Sequence, residues 1–211
     1  MSEKLIHKSC EEFSQVLASR AAVPGGGGVS ALVGAFGAAL CSMAGNLTLG
    51  RKKYAAVEPD IRRMLAEGER IQNRLLELVD EDARAFEPLS KVYGLPHATP
   101  EETARKAQVM EQALLTACGA PMEILRACAE AIDLMAEYAA KGSRLALSDA
   151  GAGAALLKGA LQAASLNIYI NAKSLQDRAE ADRLTAEADR LVAEYGAKAD
   201  EIFSAVQREI R

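Results

Sequence analysis

Residues 24–50, PGGGGVSALVGAFGAALCSMAGNLTLG, open with four consecutive glycines and carry no charged side chain before Arg51. A helix with no polar face has nothing to present to water and must be buried all round. The rest of the chain is therefore expected to wrap around this stretch. Residues 29–49 would also be long enough to span a bilayer at about 1.5 Å per residue. Their composition points elsewhere, because Gly34, Gly37, Gly45, Ser30, Ser42, Asn46, Thr48 and many alanines leave few Leu, Ile or Phe. No other stretch has the character of a span, so a buried helix of a soluble protein is predicted and no membrane partner is expected. Small side chains let neighbouring helices approach closely. Four glycines ahead of a helix N-terminus have two readings: a flexible linker, or backbone passing very close to a ligand with its N–H groups free.

The length of 211 residues suits one domain with a sizeable core, residues 1–211. The start MSEKLIHKSC lacks the apolar run of a signal peptide, which predicts a cytoplasmic protein. Acidic residues outnumber basic ones, 29 to 25, and there is no basic stripe with interleaved aromatics, so nucleic acid is not an expected partner. Cys10, Cys41, Cys118 and Cys128 show no metal-type pairing and read as reduced thiols. His7 and His97 are the only imidazoles, too few for a His-rich zinc site, and no metal is expected.

Nearly every segment has helical periodicity. A first helix is predicted over residues 2–18, then the charge-free helix ending near Gly50, with RKKY as an exposed turn. Pro59 suits the first turn of the next helix, whose stripe of Ile61, Met64, Leu65, Gly68, Ile71, Leu75, Leu78, Val79, Asp82 and Phe86 runs on toward Tyr93. Thr99 and Glu102 form a capping box for the following helix, and Pro121 predicts a kink or restart after Gly119. KGSRLAL reads as loop. Ser148 begins a second charge-poor helix, with Asp149 and Lys158 its only charges before Lys173. From Arg178 the chain is amphipathic, with a break expected near Gly196. The sum is an all-α helical bundle with two buried central helices. Small-residue faces could equally be shared with a second copy, so a homodimer is expected.

Several polar residues sit where apolar ones belong. Asp82 interrupts the stripe that contains Leu75, Leu78 and Phe86; burying a lone carboxylate costs several kcal/mol. It is either half of a structural ion pair or a functional acid or base. Asn167, Asn171, Ser174 and Asp177 fall within about a third of the helical circumference, and such amides either bond a ligand's edge or satisfy each other and nearby backbone. Ser148 and Asp149 are explained by capping and first-turn positions. Lys52, Lys53 and Tyr54 are either a solvated turn or a grip on a carboxylated ligand. His97 reads as an exposed loop residue.

PGGGG with its small-residue helix, NLTLGRKKY, EDARAF, the YGLP loop, SDAG and NIYINAKSLQD together resemble the cyclodeaminase/cyclohydrolase family of folate enzymes, over about residues 24–177. The likeness is strongest to the stand-alone bacterial cyclohydrolases. It implies an all-helical homodimer that binds a tetrahydrofolate in a cleft without metal or other cofactor. Two positions depart from the usual pattern: Gly28 replaces a common serine, as in the stand-alone branch, and Gly142, Ser143, Arg144 and Leu145 replace a loop rich in asparagine.

The resemblance implies hydrolysis of 5,10-methenyltetrahydrofolate to 10-formyltetrahydrofolate, in which a carboxylate beside the cation accepts water's proton. Asp82 is assigned that role, with Asp177 or Asp149 as second choices. Asn167 and Asn171 would bond the pterin, the backbone of Gly25, Gly26, Gly27 and Gly28 would admit it closely, and Lys52 or Lys53 would hold the glutamate tail. Asp149 and Asn167 lie about 27 Å apart along a straight helix, so a bend, separate contacts or a partner chain is required. The rivals are a formiminotetrahydrofolate cyclodeaminase, which releases ammonia, and a non-catalytic helical scaffold.

Overall fold

The computed structural model describes residues 4–211. Helices α1 (Cys10–Leu17), α2 (Gly26–Thr48), α3 (Glu58–Tyr93), α4 (Pro100–Lys141), α5 (Leu147–Ala172) and α6 (Arg178–Ile210) are supplemented by short 3-10 turns at Leu5–His7, Lys52–Val57 and Arg144–Ala146. Among the described residues there is no strand, so the fold is all-α as the periodicity requires.

α2 lies between α3 and α5, while α4 packs against α2, α3, α5 and α6. Side-chain contacts fix the directions. Gly27 meets Asp82 and Gly34 meets Leu75, so α2 and α3 are antiparallel; Gly26 meets Asn167 and Gly37 meets Leu157, so α2 and α5 are antiparallel too. α2 and α5 touch almost backbone to backbone. A Cβ on Gly37 would stand 2.6 Å from Leu157 Cγ, and one on Gly153 would stand 3.3 Å from the Gly37 carbonyl oxygen. The small residues of α2 thus serve helix–helix approach, as their composition suggests.

The two charge-poor helices are nevertheless not buried all round, which corrects the expectation of two fully buried central helices. Their inner faces are sealed, but Phe36 is 50 % exposed and Leu166 65 % exposed. α2 is long and apolar enough to cross a membrane by length and composition, yet over half of it is buried within the molecule. The helix enclosed by four others is α4.

Local predictions fared unevenly. Of the segment 2–18, Leu5–His7 is a 3-10 turn and only Cys10–Leu17 is α-helix, started by a Ser9–Glu12 capping box; Ser2 lies outside the described residues. Thr99 and Glu102 form the expected capping box. Pro121 does not interrupt α4: it is buried inside the helix, which packs against α2, α3, α5 and α6. Gly196 is likewise inside an unbroken α6. Ser148 is not a cap, since α5 starts one residue earlier with Ala146 at the N-cap and no side-chain bond there. Lys158, the lone cation of α5, pairs with Asp200 of α6 at 2.6 Å.

α3 and α4 outrun the helices in front of them. Residues 82–93 of α3 continue for about 16 Å, and residues 100–117 of α4 for about 25 Å, past the level where α2 begins. The step left by the end of α2 and α5 above this two-helix platform holds the site.

Candidate active site

At that step a cavity of about 230 Å³ is lined by Gly25, Gly26, Gly27, Asp82, Asn167 and Asn171, with walls that include Phe86, Pro121 and Ile170. The first turn of α2 supplies the glycines. Gly25 is the N-cap and the next three residues are helical, so the run is not a linker. The first N–H groups of a helix lack intrahelical acceptors and carry the positive end of its dipole.

Asp82 reaches this terminus from α3. Its carboxylate lies directly over the Cα of Gly27, where a Cβ would come within 2.2 Å of Oδ1. The Gly28 backbone N–H faces it and favours its anion. Burial pushes the Asp82 carboxyl above the usual carboxylate range, and the Gly28 N–H only partly opposes that shift. The outcome is a half-buried carboxylate of raised basicity at the rim of a small cavity. No ion pair to it occurs among the described residues.

Asn167 stands against the Cα of Gly26, 3.5 Å from where a Cβ would be. Its Nδ2 donates to the Ala163 carbonyl at 3.1 Å, which orients the amide. Asn171, one turn later, borders the same cavity. The carboxylate and the amides suit a flat, hydrogen-bonding, positively charged ligand, with Phe86 and Ile170 as apolar surfaces.

The remaining predicted residues are elsewhere. α5 ends at Ala172, so the polar face seen in sequence stops at Asn171, and Ser174 lies beyond it. Asp177 caps α6, accepting the Glu180 N–H at 3.1 Å, and is exposed rather than in the cavity. Ser148 and Asp149 are at the opposite end of α5. Lys52, Lys53 and Tyr54 follow the C-terminus of α2, about 33 Å from Gly26. There the Tyr54 hydroxyl accepts the Arg144 N–H at 3.3 Å, which holds its ionisation below the usual tyrosine range, and the Lys53 ammonium sits 5.6 Å from the Tyr54 ring centre. Within one chain the predicted site therefore divides into a glycine-end group and a tyrosine-end group.

Two residues escaped the sequence reading. Pro121, taken as a helix breaker, is a cavity wall. Asp80 is the most buried carboxylate of α3 at 8 % exposure and accepts the Leu5 N–H at 2.7 Å, tying down the N-terminal turn; it lies off the apolar stripe, so no periodicity flags it. A larger groove of about 1370 Å³, between residues 88–95 and residues 104–116, contains no predicted site residue. Its one acid, Glu111, is occupied by the N–H groups of Gln176 and Asp177.

Comparison with known proteins agrees with this architecture. The solved structure of formiminotetrahydrofolate cyclodeaminase from Thermotoga maritima superposes with a TM-score of 0.81 at 26 % identity, covering 96 % of this chain and 99 % of that one. A methenyltetrahydrofolate cyclohydrolase of Methylorubrum extorquens is 41 % identical over 204 residues, 97 % of this chain and 98 % of its own length. The formimidoyltransferase-cyclodeaminase of Sus scrofa is 34 % identical over 177 residues, 84 % of this chain but only 33 % of that protein. Residues 9–190 match the sequence pattern described as Formiminotransferase-cyclodeaminase, and the chain belongs to that family.

Proposed function

We propose that the protein hydrolyses 5,10-methenyltetrahydrofolate to 10-formyltetrahydrofolate, with Asp82 as general base and no cofactor. The observation that carries this reading is the placement of Asp82: a carboxylate of raised basicity at a helix N-terminus, facing a neutral cavity. Near end-to-end similarity to a cyclohydrolase supports the choice of reaction.

Asp82 takes a proton from water as the water oxygen bonds to the bridging carbon, and the amidinium charge is neutralised in the tetrahedral adduct. Asp82 returns that proton to N5, the C–N5 bond breaks, and the adduct's hydroxyl proton leaves through Asp82 to solvent. One cation and one water give neutral 10-formyl product and one proton. The anionic form of Asp82 favours the cationic substrate, and its raised basicity makes it a better proton acceptor than an ordinary carboxylate. Asn167 and Asn171 bond the pterin edge, and Gly25, Gly26 and Gly27 let it approach the backbone.

The cyclodeaminase reading draws on the Thermotoga maritima structure. Offering both substrates separates the two: hydrolysis of methenyltetrahydrofolate should exceed ammonia release from formiminotetrahydrofolate, and the reverse order would overturn the assignment.

The working form is a homodimer joined through the exposed face of α2 and α5. Phe36 and Met43 of α2 and Leu156, Leu166 and Ile170 of α5 are large apolar residues open to solvent, and exposed apolar side chains in such number favour an interface. Gly159 is exposed at the midpoint of α5, where a Cβ would meet nothing within 4 Å in its own chain. A mid-helix glycine costs about 1 kcal/mol against alanine, and close crossing by a second α5 gives it a purpose. Antiparallel pairing about that point sets the tyrosine end of one copy against the glycine end of the other. The partner's Lys52 or Lys53 would then hold the glutamate tail, with its Tyr54, Ser148 and Asp149 nearby. Leu166→Glu is expected to give a folded monomer in native mass measurements and about a hundredfold lower turnover; a fully active monomer would remove the shared site.

A further inference from the structure

Gly27 and Gly28 are adjacent in the first turn of α2, yet they are glycine for different reasons. A Cβ on Gly27 would overlap Asp82, whereas one on Gly28 would make ordinary contacts, 3.5 Å from Pro24 Cβ and from the Val79 carbonyl oxygen. Gly28 has no positive φ to demand glycine. A side chain fits at this buried helical position, and the glycine there forgoes about 0.5–1 kcal/mol of helix stability relative to alanine. Packing and backbone conformation therefore leave the choice unexplained.

The same Cβ position lies 3.9 Å from Asp82 Oδ2. An oxygen one bond further out comes within hydrogen-bonding range of that carboxylate. A hydroxyl there would donate to Asp82, stabilise its anion and so weaken it as a proton acceptor. As the chain stands, the group that favours the Asp82 anion is the Gly28 N–H, and no side chain among the described residues donates to it.

We infer that Gly28 tunes the general base: its bare Cα leaves Oδ2 of Asp82 without a side-chain donor and free to take a proton from attacking water. The inference rests on the hydrolytic reading above and adds the residue that keeps its base unencumbered. Gly28 acts through Asp82 and is a positioning residue. The other groups facing the carboxylate are uncharged: the glycines of α2, Phe86 of α3, Ala117 and Pro121 of α4, and Asn167 and Asn171 of α5. A hydroxyl at position 28 would accordingly be a strong local influence on its titration.

The test compares the intact protein with Gly28→Ala and Gly28→Ser. Gly28→Ala adds bulk without a donor and should leave the acid limb of kcat at the wild-type pH, whatever its effect on the rate. Gly28→Ser should lower kcat about tenfold, leave KM nearly unchanged, and move the acid limb of kcat to lower pH. Carbon-13 NMR titration of the Asp82 carboxyl should show the same downward shift, independent of turnover. A Gly28→Ser variant whose rate and titration match wild type, or a Gly28→Ala variant whose acid limb moves as far as the serine variant's, would overturn the inference. A wild-type protein without hydrolysis would instead overturn the reading on which it rests.

Discussion

Asp82→Asn should lower turnover of methenyltetrahydrofolate by about a hundredfold to ten-thousandfold, the range of a positioned general base. The amide preserves shape and occupies the same space over Gly27, but it cannot accept water's proton. Stability should move the other way. Burial raises the folded carboxyl above its unfolded value, so the group favours folding below the unfolded pKa, and that contribution is lost as pH rises through the folded one. Once ionised, the buried Asp82 therefore opposes folding, and asparagine should relieve it. Thermal unfolding is expected to show Asp82→Asn at least as stable as wild type at neutral pH, with any advantage fading in acid. A variant that loses activity because it unfolds would instead assign Asp82 a structural role.

Gly27→Ala should be nearly as damaging to activity, for a steric reason. The added Cβ would stand 2.2 Å from Asp82 Oδ1 and 2.5 Å from both Cγ and Oδ2. These atoms belong to a short side chain anchored on a packed helix, so the carboxylate must rotate away from the N-terminus of α2. Displacement of a catalytic group by about 1 Å is enough for a hundredfold loss. Helix propensity favours alanine, so circular dichroism should report an intact fold while kcat collapses. Wild-type turnover in Gly27→Ala would mean that the base does not work from its position over Gly27.

The glycine end of the site was legible because its residues violate the pattern around them. Asp82 breaks an apolar stripe, Asn167 and Asn171 break a small apolar helix, and four glycines exceed what a turn requires. Each anomaly survives in three dimensions as a cavity lining or, for Gly28, as the support beneath it. The tyrosine end was legible only as a turn at the far end of the helix that begins at the glycines, and nothing in residues 52–54 says what brings the two ends together. The same limit applies to Asp177, whose helical phase matched Asn167 only if α5 continued past Ala172.

Helix existence was readable from periodicity, but its interruptions were not. Pro121 and Gly196 are local breakers overruled by packing along α4 and α6, and a local rule carries no information about those neighbours. The charge-poor sequences of α2 and α5 foretold burial without saying what provides it. Part of each helix is covered by its own chain, and the apolar remainder, including Phe36 and Leu166, is surface that a second copy can cover. Asp80 shows the converse: a carboxylate off the apolar stripe is buried because the N-terminal turn folds over it.

The decisive measurement is the decay of methenyltetrahydrofolate absorbance with purified wild-type protein in chelated buffer, corrected for spontaneous hydrolysis. Acceleration that persists with chelator and yields 10-formyltetrahydrofolate is the expected result. Decay no faster than in buffer alone would contradict the assignment of Asp82 as the base of a hydrolytic site.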